Sequence, residues 1–257
     1  MRISVVIPSY NRINMLEELL NSLHNQTFKD FEVTIVDDNS PNTDALKMLE
    51  NKFQNSFKKL TLLINDKNMG APYSRNRGIQ HSSAPWIALV DDDDLWHTQK
   101  LEKQWEQIQQ ADSQLGIIYS WCHVIDTDGN IIGEKKPSTN GKLQKQFLTD
   151  CIIPSPTVMI RKQALLEANG FDESLPSCQD WDMWIRILKL GYHCQVIQEH
   201  LALYRKHNTS SIGTSPRAKE GYLKFYKKHW KLLFKYMQLK HFKRWLRLLM
   251  EYNGIYK

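Results

Sequence analysis

The sequence predicts an α/β fold: a mixed, mostly parallel sheet flanked by helices, followed by a helical extension. Three observations carry this. Four short apolar runs, RISVVIPSYN, FEVTIVDDNS, LTLLIN and PWIALVDD, alternate with stretches of helical spacing from residue 1 to about 111. That alternation is the pattern of parallel strands joined by crossover helices and covered on both faces. Three polar segments, PSYNR, DDNS and DDDD, each follow a strand end, and in such sheets ligands bind outside the carboxyl ends of the strands. Charge divides the chain: residues 217–257 hold twelve Lys and Arg against two Glu, a local +10, while the whole chain carries only +6. A mildly acidic body therefore precedes a strongly basic tail.

Taken in order, RISVVIPSYN reads as a β-branched strand running into a loop. From Asn14 to His24 the residues Met15, Leu16, Leu19, Leu20 and Leu23 share a helical face, with Asn14 as N-cap and Glu17 three residues on, as in a capping box. FEVTIVDDNS is a second strand and Thr43 to Phe57 a second helix. LTLLIN is a third strand, and NMGAPYSRNRGI a Gly turn followed by a helix. PWIALVDD is a fourth strand, and Trp96 to Ala111 a polar helix. LGIIYSWCHVID and NIIGE flank Asp128-Gly129, a hairpin turn signal. SPTVMIR reads as a strand and Lys162 to Asn169 as a short helix closed by Gly170. FDESLPSCQDWDMWIRILKLG is a loop leading into a helix that ends near Gly191, and CQVIQEHLALYRKH is a late strand. The organisation is a two-part domain over 1–212, with halves 1–111 and 112–212, and a basic helical extension over 213–257.

Several classes are excluded. No apolar run approaches the roughly 20 residues of a membrane span, and the first apolar stretch is too short for a signal peptide. The four cysteines, at 122, 151, 178 and 194, show no CxxC spacing, so a reducing cytoplasm is expected. Neither GxGxxG nor GxxxxGK[ST] occurs.

IALVDDDDLW concentrates the chemistry. Adjacent carboxylates repel unless something positive sits on them. Two readings stand: a solvated turn that caps the next helix, or a site for a hard divalent cation, which takes carboxylates plus substrate phosphates.

SVVIPSYNR, FEVTIVDDNS, NMGAPYSRNRGI, IALVDDDDLW, GFDESL with QDWDMWIR, and YRKH occur in this order. Together, over residues 2 to 212, they resemble the family 2 glycosyltransferases of GT-A (Rossmann-like) fold. The resemblance implies an inverting, metal-dependent hexosyltransferase. It would use a nucleotide-diphosphate sugar, first a UDP-sugar with thymidine and guanosine donors open, and Mn²⁺ or Mg²⁺. Residues 1–111 would form the nucleotide-binding half and 112–212 the acceptor-binding half. Pro8, Ser9 and Tyr10 match the loop that embraces the base, and Tyr10 packs either on it or over the sheet end. Arg12 would meet phosphate or solvent. Asp38 would accept from the base, with Asp37 structural. Arg75 would contact base or phosphate, or pair with the aspartates. Aligning DDLW puts the metal ligand at Asp93, with Asp91 and Asp92 toward ribose and the metal's water, and Asp94 capping the next helix. His207 would be a second ligand or a surface histidine.

An inverting displacement needs a carboxylate to take the acceptor's proton. The family supplies it from a Glu-Asp pair, and here the pair is Gln179-Asp180. The resemblance makes Asp180 the base, and a helix N-cap is its other reading. Trp181 and Trp184 stack a sugar or fill the core.

In the tail, Leu232, Leu233, Tyr236, Leu239, Phe242, Leu246 and Leu249 share a face. It would lie on an anionic membrane, making the protein peripheral at the inner face of the cell membrane, or pack on the body or on a second subunit in a homo-oligomer. No nucleic-acid motif is present. The implied role is cell-surface polysaccharide or glycolipid assembly on a saccharide or lipid-linked acceptor. A catalytically silent nucleotide-sugar-binding or tethering module is the alternative, with Gln179 as its hint. A sugar nucleotidyltransferase would need a Gly-rich first loop that PSYNR does not supply.

Overall fold

The computed structural model describes residues 1–207 and 216–236. Its first half is a strand–helix alternation: β1 Ile3–Ser9, α1 Ile13–His24, β2 Phe31–Asp37, α2 Thr43–Phe53, β3 Leu60–Ile64, α3 Ala71–His81 and β4 Trp86–Leu89. The second half adds β5 Leu95–Trp96, α4 Lys100–Gln110, β6 Leu115–Ile125, β7 Ile131–Lys135, α5 Lys145–Thr149, β8 Met159–Arg161, α6 Lys162–Glu167, α7 Gln179–Lys189 and β9 His193–Arg205. The helix α8, Pro216–Tyr236, follows.

The strands form one sheet in the order β3-β2-β1-β4-β8-β6-β9-β5, with β7 on β6. β3, β2, β1 and β4 are mutually parallel, and β8 joins β4 and β6 antiparallel. The chain order therefore reverses between β1 and β4. Loops leaving those two strands diverge to opposite sides and open a crevice at their carboxyl ends. β1, β2 and β4 are buried throughout, as a sheet covered on both faces requires. One core cluster packs Leu16, Leu19, Leu20 and Leu23 of α1 beneath Val5, Ile7 and Val33. A second, on the other face, packs Met183, Trp184 and Ile187 of α7 against Tyr119 and Ile160. Gly78 lets α3 lie directly on β1: a Cβ there would stand 2.5 Å from a methyl of Val6.

Local expectations fail in instructive places. α1 begins at Ile13, so Asn14 is inside the helix, and no side chain caps it. α2 stops at Phe53, and its N-cap is Asn42, which accepts from the Ala45 amide at 3.1 Å. The polar helix starts at Lys100 because Leu95 and Trp96 are drawn out as a short strand pairing with β9. In SPTVMIR only Met159–Arg161 is strand, since Ser155–Thr157 coils into a 3₁₀ turn. Gly129 turns the hairpin at φ 88°.

Trp181 and Trp184 are both core residues, 5% and 1% exposed. Trp181 stacks on Phe225 of α8 with centroids 4.0 Å apart, and Leu233 joins the same cluster. Behind them, Asp182 is fully buried and takes Arg186 Nε at 2.8 Å, His229 Nε2 at 2.8 Å and Lys228 Nζ at 2.9 Å. α8 is thus fastened to α7 by an aromatic stack and a buried ionic knot. Its outer face exposes Trp230 and Phe234 beside Lys227 and Lys231. Leu239, Phe242, Leu246 and Leu249 lie outside the described residues.

Candidate active site

The crevice between β1 and β4 gathers the polar segments. The four aspartates form a tight turn between β4 and β5, closed by the Asp94 amide donating to the Asp91 carbonyl at 3.2 Å, and their side chains alternate in exposure. Asp91 and Asp93 keep 34% and 13% of their side chains exposed, whereas Asp92 and Asp94 are buried. Asp91 and Asp93 are thus the outward pair.

Asp91 Oδ1 meets Arg75 Nη2 at 2.6 Å. Asp93 Oδ2 lies 2.8 Å from Arg12 Nη1 and 2.7 Å from His207 Nε2. Asp92 turns toward β1, accepting from Ser9 Oγ at 2.9 Å, the Tyr10 amide at 3.2 Å and Arg12 Nη1 at 2.9 Å. Burial pushes its carboxyl up to about 6, against the pull of Arg12. Asp92 therefore ties the PSYN loop to the cluster. Asp94 does not cap the next helix. It accepts from the Arg205 amide at 2.8 Å, and its Oδ2 is buried with no partner among the described residues. Burial and the neighbouring aspartates hold its carboxyl well above the usual range, which favours the neutral acid.

Asp38 is buried and directed inward. It accepts from Asn65 Nδ2 at 2.8 Å, the Met69 amide at 2.8 Å and the Gly70 amide at 2.7 Å, and so fixes the turn in which Gly70 takes φ 87°. Asp37 binds Ser40 and is structural. Pro8 is the penultimate residue of β1, opposite Val36. Tyr10, 48% exposed, stands at the rim.

Arg75 joins the halves of the site. Fully enclosed on α3, it reaches Asp91, Gln179 Oε1 at 3.3 Å and Asp180 Oδ1 at 3.6 Å. Burial opposes its charge, but Asp91 and Asp180 outweigh that and raise its pKa further. Asp180, in the first turn of α7, takes a hydrogen bond from Ser155 Oγ on Oδ2, while its Oδ1 has no hydrogen-bond partner among the described residues. Asp180 is not the helix N-cap, a position held by Cys178.

The family model "Glycosyl transferase family 2" matches residues 4–167. A curated relative, an uncharacterized glycosyltransferase of Methanocaldococcus jannaschii, is 32% identical over 89% of this chain and 79% of its own length. The chain belongs to the family 2 glycosyltransferases. The amylovoran biosynthesis glycosyltransferase AmsB of Erwinia amylovora is 31% identical over 82% of this chain and 71% of its own. Among solved structures, residues 1–349 of S. aureus TarS in complex with UDP-GlcNAc superpose with a TM-score of 0.71 at 19% identity, covering 98% of this chain and 80% of that one. The fold is accordingly GT-A.

In this glycosyltransferase the pairing of a carboxylate oxygen with an imidazole, Asp93 and His207, fits a divalent cation such as Mn²⁺. Sequence reading missed three supports. Arg205 is buried, donates Nε to the Asp93 carbonyl at 2.9 Å and pairs with Glu18 at 2.6 Å, so it fixes the backbone of the cluster. Tyr204 sits among the acids, its hydroxyl pushed up to about 12 by burial and by the charges of Asp94, Asp91, Asp93 and Asp180. Ser155 orients Asp180. The first two lie in YRKH, where only the histidine was singled out.

Proposed function

We propose that the chain transfers a sugar from a nucleoside-diphosphate donor, UDP-sugar first, to a hydroxyl of a saccharide or lipid-linked acceptor with inversion. The observation that carries this is the Arg75 bridge, which sets Asp180 beside the outward aspartates across one guanidinium. Asp180 acts as base: one oxygen is oriented by Ser155, and the other, buried 3.6 Å from Arg75 Nη1 with no hydrogen-bond partner among the described residues, is the one assigned to the acceptor hydroxyl. Arg75 and Arg12 stand where a diphosphate's charge would be met, and bidentate guanidinium–phosphate contact suits both. Pro8, Ser9 and Tyr10 border the base, Asp38 holds the turn beside it, and Asp91 takes the ribose side. Asp93 and His207 would hold Mn²⁺ or Mg²⁺, which when bound neutralises charge on the leaving diphosphate.

A role in surface polysaccharide or glycolipid assembly is supported by the activity in AmsB's name, and a UDP-sugar donor by the UDP-GlcNAc bound to TarS. Contact with an anionic membrane is supported by the outer face of α8, where Trp230 and Phe234 stand among lysines. No helix among the described residues is long and apolar enough to cross a membrane.

Calorimetric titration of UDP, dTDP and GDP, each with Mn²⁺ and with chelator, should show metal-dependent binding of one nucleotide. Nucleotide release in the presence of acceptor should then fall about 10²–10⁴-fold in Asp180→Asn with donor affinity retained. Full transfer by that variant removes the base. Binding without any transfer by the wild type would mark a silent nucleotide-sugar-binding module.

A further inference from the structure

A second group of metal-binding side chains lies across three neighbouring strands, away from the crevice. His123 is on β6, Glu134 opposes it on β7, and His200 comes from β9 on the other side. One ligand atom from each lies within 4.8 Å of the others. His200 Nε2 is 3.0 Å from Glu134 Oε2. The two imidazoles are stacked, centroids 4.0 Å apart and 7° from parallel. We propose that His123, Glu134 and His200 form a transition-metal site of the zinc class that clips the β7 hairpin to the sheet.

The chemistry of the set favours this. Two imidazoles and one carboxylate suit Zn²⁺ better than the hard ions expected at the aspartates, and they leave a fourth position open. Zinc bonds of about 2.0–2.1 Å bring tetrahedral ligand atoms to about 3.3 Å apart, so closing the site requires the ligand atoms to draw together and the two imidazoles to rotate out of their stack. A plain hydrogen-bonded cluster leaves one atom unexplained: His123 Nδ1 is buried without a partner among the described residues. A metal would supply that partner. Glu134 is already oriented, its Oε1 held by Lys136 at 2.8 Å while Oε2 faces the imidazoles. Register shifts in β9 around Trp121 set His200 between Trp121 and His123. These irregularities are what bring the two rings together.

The clip would have a consequence on the opposite face. Lys135, next to Glu134, points the other way, with Nζ 4.1 Å from the Tyr204 ring centre, and its charge acts on Asp94. Fixing Glu134 fixes Lys135 against the catalytic side of the sheet.

The test is calorimetric titration of Zn²⁺ into the full chain carrying His207→Ala, which removes the imidazole of the aspartate site. Zinc should still bind, and adding His123→Ala, His200→Ala or Glu134→Gln should each weaken it at least about tenfold, the smallest loss typical even of a ligand's supporting partner. Unchanged affinity in the His200→Ala or Glu134→Gln background overturns the site, as does loss of all zinc binding with His207→Ala alone. Glu134 is exposed, so its variant separates a lost ligand from a lost fold. Anomalous scattering at the zinc edge from crystals grown with zinc should place the ion among the three side chains. Zinc found only elsewhere refutes the proposal.

Discussion

Replacing Asp182 tests whether the extension is part of the catalytic body. Its buried carboxylate receives Arg186, Lys228 and His229. Charge-assisted hydrogen bonds contribute about 1.5–3 kcal/mol each, but the three do not sum. Lys228 keeps Asp172 at 2.6 Å and Arg186 keeps the Ala168 carbonyl. Asp182→Ala should therefore cost about 3–5 kcal/mol, the range for breaking one side of a buried ion pair. Asp182→Asn retains shape and one acceptor and should cost about half that. Burial alone would raise the Asp182 pKa, but the His229 hydrogen bond and the charges of Arg186 and Lys228 outweigh it and lower it. A depressed folded value means the stabilisation is present above the unfolded value, near 4, and is lost as pH falls through the folded one. The wild-type advantage should thus be flat at neutral pH and shrink below about pH 4. Urea unfolding gives the free energies, and hydrogen exchange over 216–236 reports whether α8 stays docked. Because α7 also carries Asp180, transfer should slow as well. An Asp182→Ala chain within about 0.5 kcal/mol of wild type, the ordinary range for surface changes, with α8 still protected, would refute this reasoning.

Three further outcomes follow from the same geometry. Asp93→Ala and His207→Ala should each weaken nucleotide binding in Mn²⁺ while leaving binding in chelator unchanged, checked by calorimetry. Gly221→Ala should loosen α8, because a Cβ there would lie 2.7 Å from the Ser177 amide nitrogen, which cannot swing aside; protease nicking between Lys224 and Lys228 would report it. Trp230→Ala with Phe234→Ala should reduce pelleting with anionic vesicles without lowering the unfolding midpoint, since both side chains face outward.

Much of the fold was legible because its first half obeys short-range rules: β-branched runs, leucine spacing and Gly turns mark β1 to β4 directly. Helix starts were less so. Asn14 resembles a cap in sequence, yet the loop that carries Asp92's partners delivers the chain into helix two residues earlier, with Arg12 at the N-cap position. Which aspartates face outward was unreadable in four identical letters, because it is set by the turn that Asp91 to Asp94 make between β4 and β5, which buries Asp92 and Asp94. Trp181 needed the position of α8 to be assigned to the core, whereas Trp184 packs into the core beneath the sheet. Arg205 and Ser155 gave no local signal, since their partners lie 112 and 25 residues away. The His123, Glu134 and His200 group was hidden for the same reason: its spacing is set by strand pairing and by irregularities in β9.

The docking of α8 divides that helix between two masters. Phe225, Tyr226, His229 and Leu233 face inward, behind the helix that bears Asp180, and changes there would be felt in the reaction, where misplacement by about 1 Å can cost 10²-fold. Lys227, Trp230 and Phe234 face outward and owe the reaction nothing. Selection can rewrite that outer stripe to suit a different surface or partner while the chemistry stays intact. One catalytic body could thus be readdressed within a cell by substitutions along a single helical edge.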